Sequence, residues 1–161
     1  MADALTAWRF VRPKYGSQTD AFSGEGSHLF GGRWNSPSVR ATYVSSRLSL
    51  AALETLVHAD RRRFEQDYVA FKLHLPEALV LELRDEDLPE DWRARAVSEG
   101  ASQVRDAWLA AQASVALSVP SVTVPEERNY LLNPEHPQVS ELTIEKPRPS
   151  RFDARFTNEE R

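Results

Sequence analysis

The sequence has no cysteine and a single methionine among its 161 residues. Without cysteine there is no disulfide, no thiolate metal site and no cysteine nucleophile, a composition that fits a reducing cytoplasm. Excess positive charge is missing too: the formal net charge is −4, and Arg61-Arg62-Arg63 is the only basic run. Three arginines beside acidic neighbours read as a solvated helix end, and the acidic balance gives no electrostatic grip on nucleic acid or an anionic membrane. No apolar run approaches membrane-spanning length, and the N-terminus lacks a charged head followed by an apolar core. The four histidines show no metal-ligand spacing, so no catalytic metal is expected. The expectation is a soluble cytoplasmic protein that touches neither membrane nor nucleic acid directly.

What is present is ordinary for a packed globular protein, with 41% hydrophobic and 27% charged residues. The length suits one domain over residues 1–161, with a core from about 6 to 156 and a polar tail. Trp8-Arg9-Phe10-Val11 reads as a strand stopped by Pro13. Residues 16–32 hold five of the six glycines and read as a loop. Residues 41–45 form a strand with Tyr43 and Ser45 on one face, followed by a helix capped by Ser46 or Ser49 and running to about Ala59. The expected apolar stripe of that helix is Leu50, Leu53 and Val57, which sets Glu54 at its margin.

Strict alternation from Tyr68 to Leu75 predicts a strand with Val69, Phe71, Leu73 and Leu75 on one face. A strand at 78–83, helices near 92–97 and 102–111, and strands at 129–133 and 141–145 follow. Pro120 breaks the β-rich stretch 115–124 and predicts an edge strand, a bulge or two short strands. The order lacks a regular β–α alternation, so the fold class is α+β.

Arg33 follows Gly31-Gly32, Tyr43 lies on a short strand, and Glu54 lies on a helix. A guanidinium offers a planar fork of donors for phosphate or carboxylate, an aromatic ring stacks on a planar ligand, and a carboxylate stabilises an oxocarbenium-like centre. Those needs coincide when a dinucleotide loses nicotinamide from its ribose, much as in glycoside cleavage. Each residue also has a structural alternative. Arg33 can pair with a surface carboxylate, Tyr43 can be core, and Glu54 can pair with His58 at i,i+4. Asn129 and Asn133 read as turn-holding residues, and His136, between prolines, as structural.

Several segments, taken in order, resemble the RES domain family. They are Phe22-Ser23-Gly24-Glu25-Gly26, Gly31-Gly32-Arg33-Trp34-Asn35, Tyr43-Val44-Ser45, Leu50 to His58, Val119-Pro120-Ser121, Asn129 to Pro137, and Phe152-Asp153-Ala154-Arg155. The resemblance implies an α+β fold similar to the catalytic domain of ADP-ribosylating toxins, NAD as substrate with no separate cofactor, and an Xre-like helix-turn-helix antitoxin as partner. It carries the family's arginine onto Arg33, its tyrosine onto Tyr43, its glutamate onto Glu54 and its serine onto Ser121. These would be the catalytic set, with Arg33, Tyr43, Asn35 and Ser121 contacting NAD. One departure is Ser36-Pro37-Ser38-Val39-Arg40, where the family has a glycine-containing turn.

The function so implied is that of a toxin that cleaves the nicotinamide–ribose bond of NAD, with water or phosphate as acceptor, and arrests growth. The alternatives are a protein ADP-ribosyltransferase and a non-catalytic nucleotide-binding module.

Overall fold

Alternating apolar residues build the middle of an 8-stranded sheet. The structure is a computed structural model and describes residues 3–25, 39–58, 65–94 and 99–156. Its strands are β1 (Ala4–Val11), β2 (Thr42–Ser45), β3 (Asp67–Pro76), β4 (Val80–Glu82), β5 (Ala116–Pro120), β6 (Arg128–Leu132), β7 (Thr143–Ile144) and β8 (Arg148–Arg151). The helices are α1 (Gln18–Ala21), α2 (Leu48–His58) and α3 (Glu99–Ala111). The strand order is β4-β5-β6-β2-β1-β3-β7, with β8 also on β3. Among the described residues only β4 and β5 run parallel. The α+β expectation holds.

Residues opposite one another in register share a face of the sheet. Tyr43, Leu131 and Leu117 are aligned across β2, β6 and β5, and so are Ser45, Asn129 and Val119. On this face Ala51 of α2 packs with Phe10, Tyr68 and Ala70, while Ala101 and Trp108 of α3 pack with Leu117, Val119 and Leu131. The opposite face gathers Ala7, Val44, Leu73, Leu75, Tyr130 and Leu132. Beside them Val11 and Phe71 meet Ala21 of α1.

Strand β3 buries residues of both faces in its first half. Phe71, Leu73 and Leu75 are inaccessible as the alternation requires, but Tyr68 and Ala70 are buried as well, under α2 and Phe152. Tyr68 stacks on Phe10 at a centroid distance of 4.6 Å. Truncating one fully buried side chain such as Leu73→Ala is expected to cost about 2–5 kcal/mol, read from a denaturant midpoint.

Several elements differ from their sequence reading. Within the stretch read as loop, Ser17 accepts a hydrogen bond from the Asp20 amide and caps the one-turn α1. Strand β5 is no edge: it pairs with β4 on one side and β6 on the other, and Pro120 is its last residue, where the missing N–H is tolerated. Glu90–Ala94 forms turns closed by Trp92 N–H to Pro89 O and Ala94 N–H to Asp91 O, and residues 95–97 lie outside the described residues. The 141–145 region yields a 3-10 turn at Pro137–Glu141 and a two-residue strand. Asn133 does hold a turn, accepting from the Glu135 amide at 3.0 Å. His136 is buried, accepting at Nδ1 from the Gln138 amide and donating from Nε2 to the Gln112 carbonyl.

Strands β1 and β2 meet at one register pair, Trp8 with Ser45. Beyond it Arg9 spans the gap, donating from Nη1 to the Tyr43 carbonyl at 3.1 Å and from Nε to the Ala21 carbonyl at 3.0 Å. Desolvation lowers the Arg9 pKa to about 10. Gly24 sits nearby at φ +70°, with the Ala41 nitrogen 3.0 Å from where a Cβ would stand. Gly24→Ala is therefore expected to cost about 1–2 kcal/mol in unfolding free energy, seen as a lowered denaturant midpoint.

Candidate active site

Helix α2 carries the carboxylate, and its rotation differs from the expected one. Leu50 and Ala51 are its buried residues, whereas Leu53 is 41% and Val57 63% exposed. The small Ala51 lets the helix approach Phe10 and Tyr68 closely, so packing follows the alanine side and not the leucine stripe. Glu54 lies three residues after Ala51 and four after Leu50, hence on the face turned to the sheet. It is half-buried.

Two side chains hold it, and a third orients one of them. Ser121 Oγ donates to Glu54 Oε1 at 2.6 Å, and Asn129 Nδ2 donates to the same oxygen at 3.0 Å. Asn129 is oriented in turn by Ser45 Oγ, which donates to its Oδ1 at 2.7 Å. Ser45 and Asn129 are register partners on β2 and β6, so the relay is built into strand pairing. Glu54 Oε2 has no hydrogen-bond partner among the described residues. Both donors therefore anchor the carboxylate through one oxygen.

Ser121 follows the end of β5 and is fully buried. Its Oγ also accepts from the Thr123 amide at 3.1 Å and the Val124 amide at 3.0 Å. A hydroxyl has one donor and two acceptor positions, so all three are used. In this arrangement Ser121 serves Glu54. His58 is exposed and shares no hydrogen bond with Glu54 among the described residues, so the i,i+4 pairing is not formed. Arg33 and Asn35 lie outside the described residues.

Tyr43 is partly buried on the same face, packed against the cluster beneath α3. The structure thus brings Tyr43, Glu54 and Ser121 to one side of β2, β6 and β5. The sequence reading assigned Asn129 to a turn and gave Ser45 no role. Both were detectable from alternation, since Asn129 shares its face with Leu131 and Ser45 shares its face with Tyr43. A polar side chain on a buried strand face requires a partner.

Among the described residues no group of three or more His, Asp or Glu could hold a metal ion, and no helix is long and apolar enough to cross a membrane.

Comparison with known proteins identifies the family. The RES domain profile matches residues 6–155. The Toxin Res of Yersinia enterocolitica is 34% identical over 132 residues, spanning 82% of this chain and 86% of that protein. The Toxin Res of Photorhabdus laumondii is 37% identical over 130 residues, spanning 81% and 82%. The Prs ADP-ribosylating toxin of a Sphingobium species is 31% identical over 152 residues, spanning 92% and 94%. The fold is shared with the crystal structure of the M. tuberculosis MbcT–MbcA toxin–antitoxin complex, at a TM-score of 0.74 and 20% identity over 99% of this chain and 90% of that one. The chain belongs to the RES domain family, among relatives that are toxins.

Proposed function

We propose that this protein is the toxin of a toxin–antitoxin pair and consumes NAD by breaking its nicotinamide–ribose bond. The observation that carries the reading is the anchored carboxylate of Glu54, with Oε1 held by Ser121 and Asn129 and Oε2 unengaged among the described residues. A carboxylate held this way needs no reorganisation as positive charge develops beside it.

In the proposed step the electron pair of the C1′–N bond returns to the pyridinium ring, and nicotinamide leaves neutral. The ribose becomes oxocarbenium-like, and Glu54 Oε2 stabilises that charge. The oxygen of water or phosphate then bonds to C1′, and Oε2 orients the acceptor and takes its proton. Tyr43 packs against the nicotinamide or its ribose. Arg33 holds a phosphate or the ribose side of NAD, a role carried by family resemblance, and Asn35 helps to shape the pocket. Ser121 and Asn129 act through Glu54.

The partner is an antitoxin of the Xre-like helix-turn-helix kind, which covers the NAD pocket and supplies the DNA-binding function. The M. tuberculosis protein of the same fold crystallised with its antitoxin, and the acidic balance here fits leaving DNA contact to a partner. Transfer of ADP-ribose to a protein is the second reading, favoured by the name of the Sphingobium relative. Chromatography of NAD and nicotinamide, with purified protein, with and without phosphate and cell lysate, tests both. Loss of NAD in buffer supports hydrolysis, and loss that depends on phosphate supports phosphorolysis. Label transferred to a lysate protein supports the transferase. Intact NAD under all conditions sinks the proposal.

A further inference from the structure

Arg9 and the segment Phe22-Ser23-Gly24-Glu25 have no part in the chemistry above, yet together they close a gap in the sheet. Strand β1 meets β2 at Trp8 and Ser45, and beyond that pair the two strands share no register partner. Residues 21–25 lie along 40–43 there, held by side chains in place of a ladder. Arg9 Nε donates to the Ala21 carbonyl at 3.0 Å, and Nη1 to the Tyr43 carbonyl at 3.1 Å. Thr42 Oγ1 donates to the Phe22 carbonyl at 3.1 Å, and Arg40 Nη1 to the Ser23 carbonyl at 3.3 Å. The same Arg40 nitrogen pairs with Glu25 Oε2 at 2.7 Å. At Gly24 a Cβ would stand 3.0 Å from the Ala41 nitrogen, so the two segments approach through main chain.

Arg9 is set apart within this arrangement by what it ties together. It shares its face of β1 with Ala7 and Val11, whereas Trp8 shares the site face with Ser45. Its side chain therefore leaves β1 on the face opposite Glu54. Among the described residues it pairs with no carboxylate, and both of its bonds go to main-chain carbonyls. A carbonyl without a ladder partner needs a donor, and water or any hydroxyl supplies one. A guanidinium adds a planar fork that fixes two acceptors relative to each other. Here the two belong to the last residue of α1 and to the residue whose ring lies on the site face. We propose that Arg9 is a positioning residue for Tyr43: it holds the main chain of β2 at that residue in place of the missing ladder, and so sets the Tyr43 ring against the ligand bound over Glu54. The ligand's identity rests on the NAD reading; the coupling of Arg9 to the Tyr43 main chain does not.

The test uses the whole chain, with tyrosine carrying carbon-13 at its carbonyl for nuclear magnetic resonance. Tyr43→Phe identifies the Tyr43 signal among the 4 tyrosines. Arg9→Gln is the selective variant: its amide nitrogen takes the place of Nε and keeps the Ala21 bond, while nothing replaces Nη1 at the Tyr43 carbonyl. Loss of that bond is expected to move the Tyr43 carbonyl signal upfield with no NAD present. Arg9→Lys keeps the charge and loses the fork; it should move the signal the same way and serves if the glutamine variant does not fold. In NAD turnover Arg9→Gln is expected to raise KM about tenfold, the worth of one hydrogen bond, with kcat within about threefold. The split follows because Glu54 keeps its charge and its donors, Ser121 and Asn129. In a Tyr43→Ala background the same substitution should raise KM no further. A merely structural bond would lower the melting temperature and leave KM unmoved. That outcome, additive KM effects, or a carbonyl signal unmoved in both Arg9 variants overturns the proposal. A shifted signal in a protein that leaves NAD intact keeps the coupling and removes NAD as the ligand.

Discussion

Glu54→Gln is expected to lower kcat for NAD cleavage by about 10²–10³-fold while leaving KM within about threefold, because it removes charge and keeps shape. The substitution is informative because of how the carboxylate is held. Ser121 and Asn129 both donate to Oε1, which fixes the glutamine amide with its oxygen at that position and its nitrogen at the place of Oε2. Only the atom facing the ligand changes, from an anionic acceptor to a neutral donor. Glu54→Ala is a blunter probe, since it strips the Asn129 amide and the buried Ser121 hydroxyl of their acceptor and adds a structural cost. Steady-state kinetics of the glutamine variant, with a melting curve to confirm the fold, decides the matter. Equal weakening of NAD binding and turnover would assign Glu54 to ground-state binding and remove it from the charged transition state.

The site's composition was legible in the sequence, but its wiring was not. Tyr43 and Glu54 could be placed because strand alternation and helical spacing are local properties. Their conjunction with Ser121 rests on the pairing of β2 with β6, a contact far apart in the chain that no local period encodes, and on the β5–β6 hairpin that carries Ser121 beside it. The rotation of α2 shows the same limit. Hydrophobicity alone favours Leu53 and Val57 as the buried side, yet close approach through Ala51 leaves both exposed. The turn so gained is what brings Glu54 over the sheet.

Pro120 was read as a sign of an edge or a break because its lost N–H is costly inside a sheet. At the last position of β5 that loss is tolerated, and the chain turns at once to place Ser121 under Glu54. Arg105 of α3, which is fully buried, went unnoticed for a related reason. An arginine on a polar-looking helix reads as solvent-facing until the strand carrying Tyr43 is known to lie beneath it.

Asn129→Asp is expected to lower turnover at neutral pH by about 10–100-fold and to move the acid limb of the pH–kcat profile upward by one unit or more. Ser45 Oγ donates to one side of the Asn129 amide, so the new carboxylate keeps that bond and sets its other oxygen about where Nδ2 stands, 3.0 Å from Glu54 Oε1. Two carboxylates at that distance resist joint ionisation, and over a span of pH they share one proton. The sign follows directly. The pair releases its last proton at higher pH than Glu54 alone, so the fully ionised form needed for charge stabilisation is reached later as pH rises. Asn129→Ala separates this electrostatic effect from lost orientation: it removes the donor, adds no charge, and should lower kcat by about tenfold with the limb unmoved. If the aspartate variant keeps both the wild-type rate and the wild-type limb, the amide does not bear on Glu54 in the working enzyme. The Ser45–Asn129 relay would then belong to the pairing of β2 with β6 and to nothing beyond it.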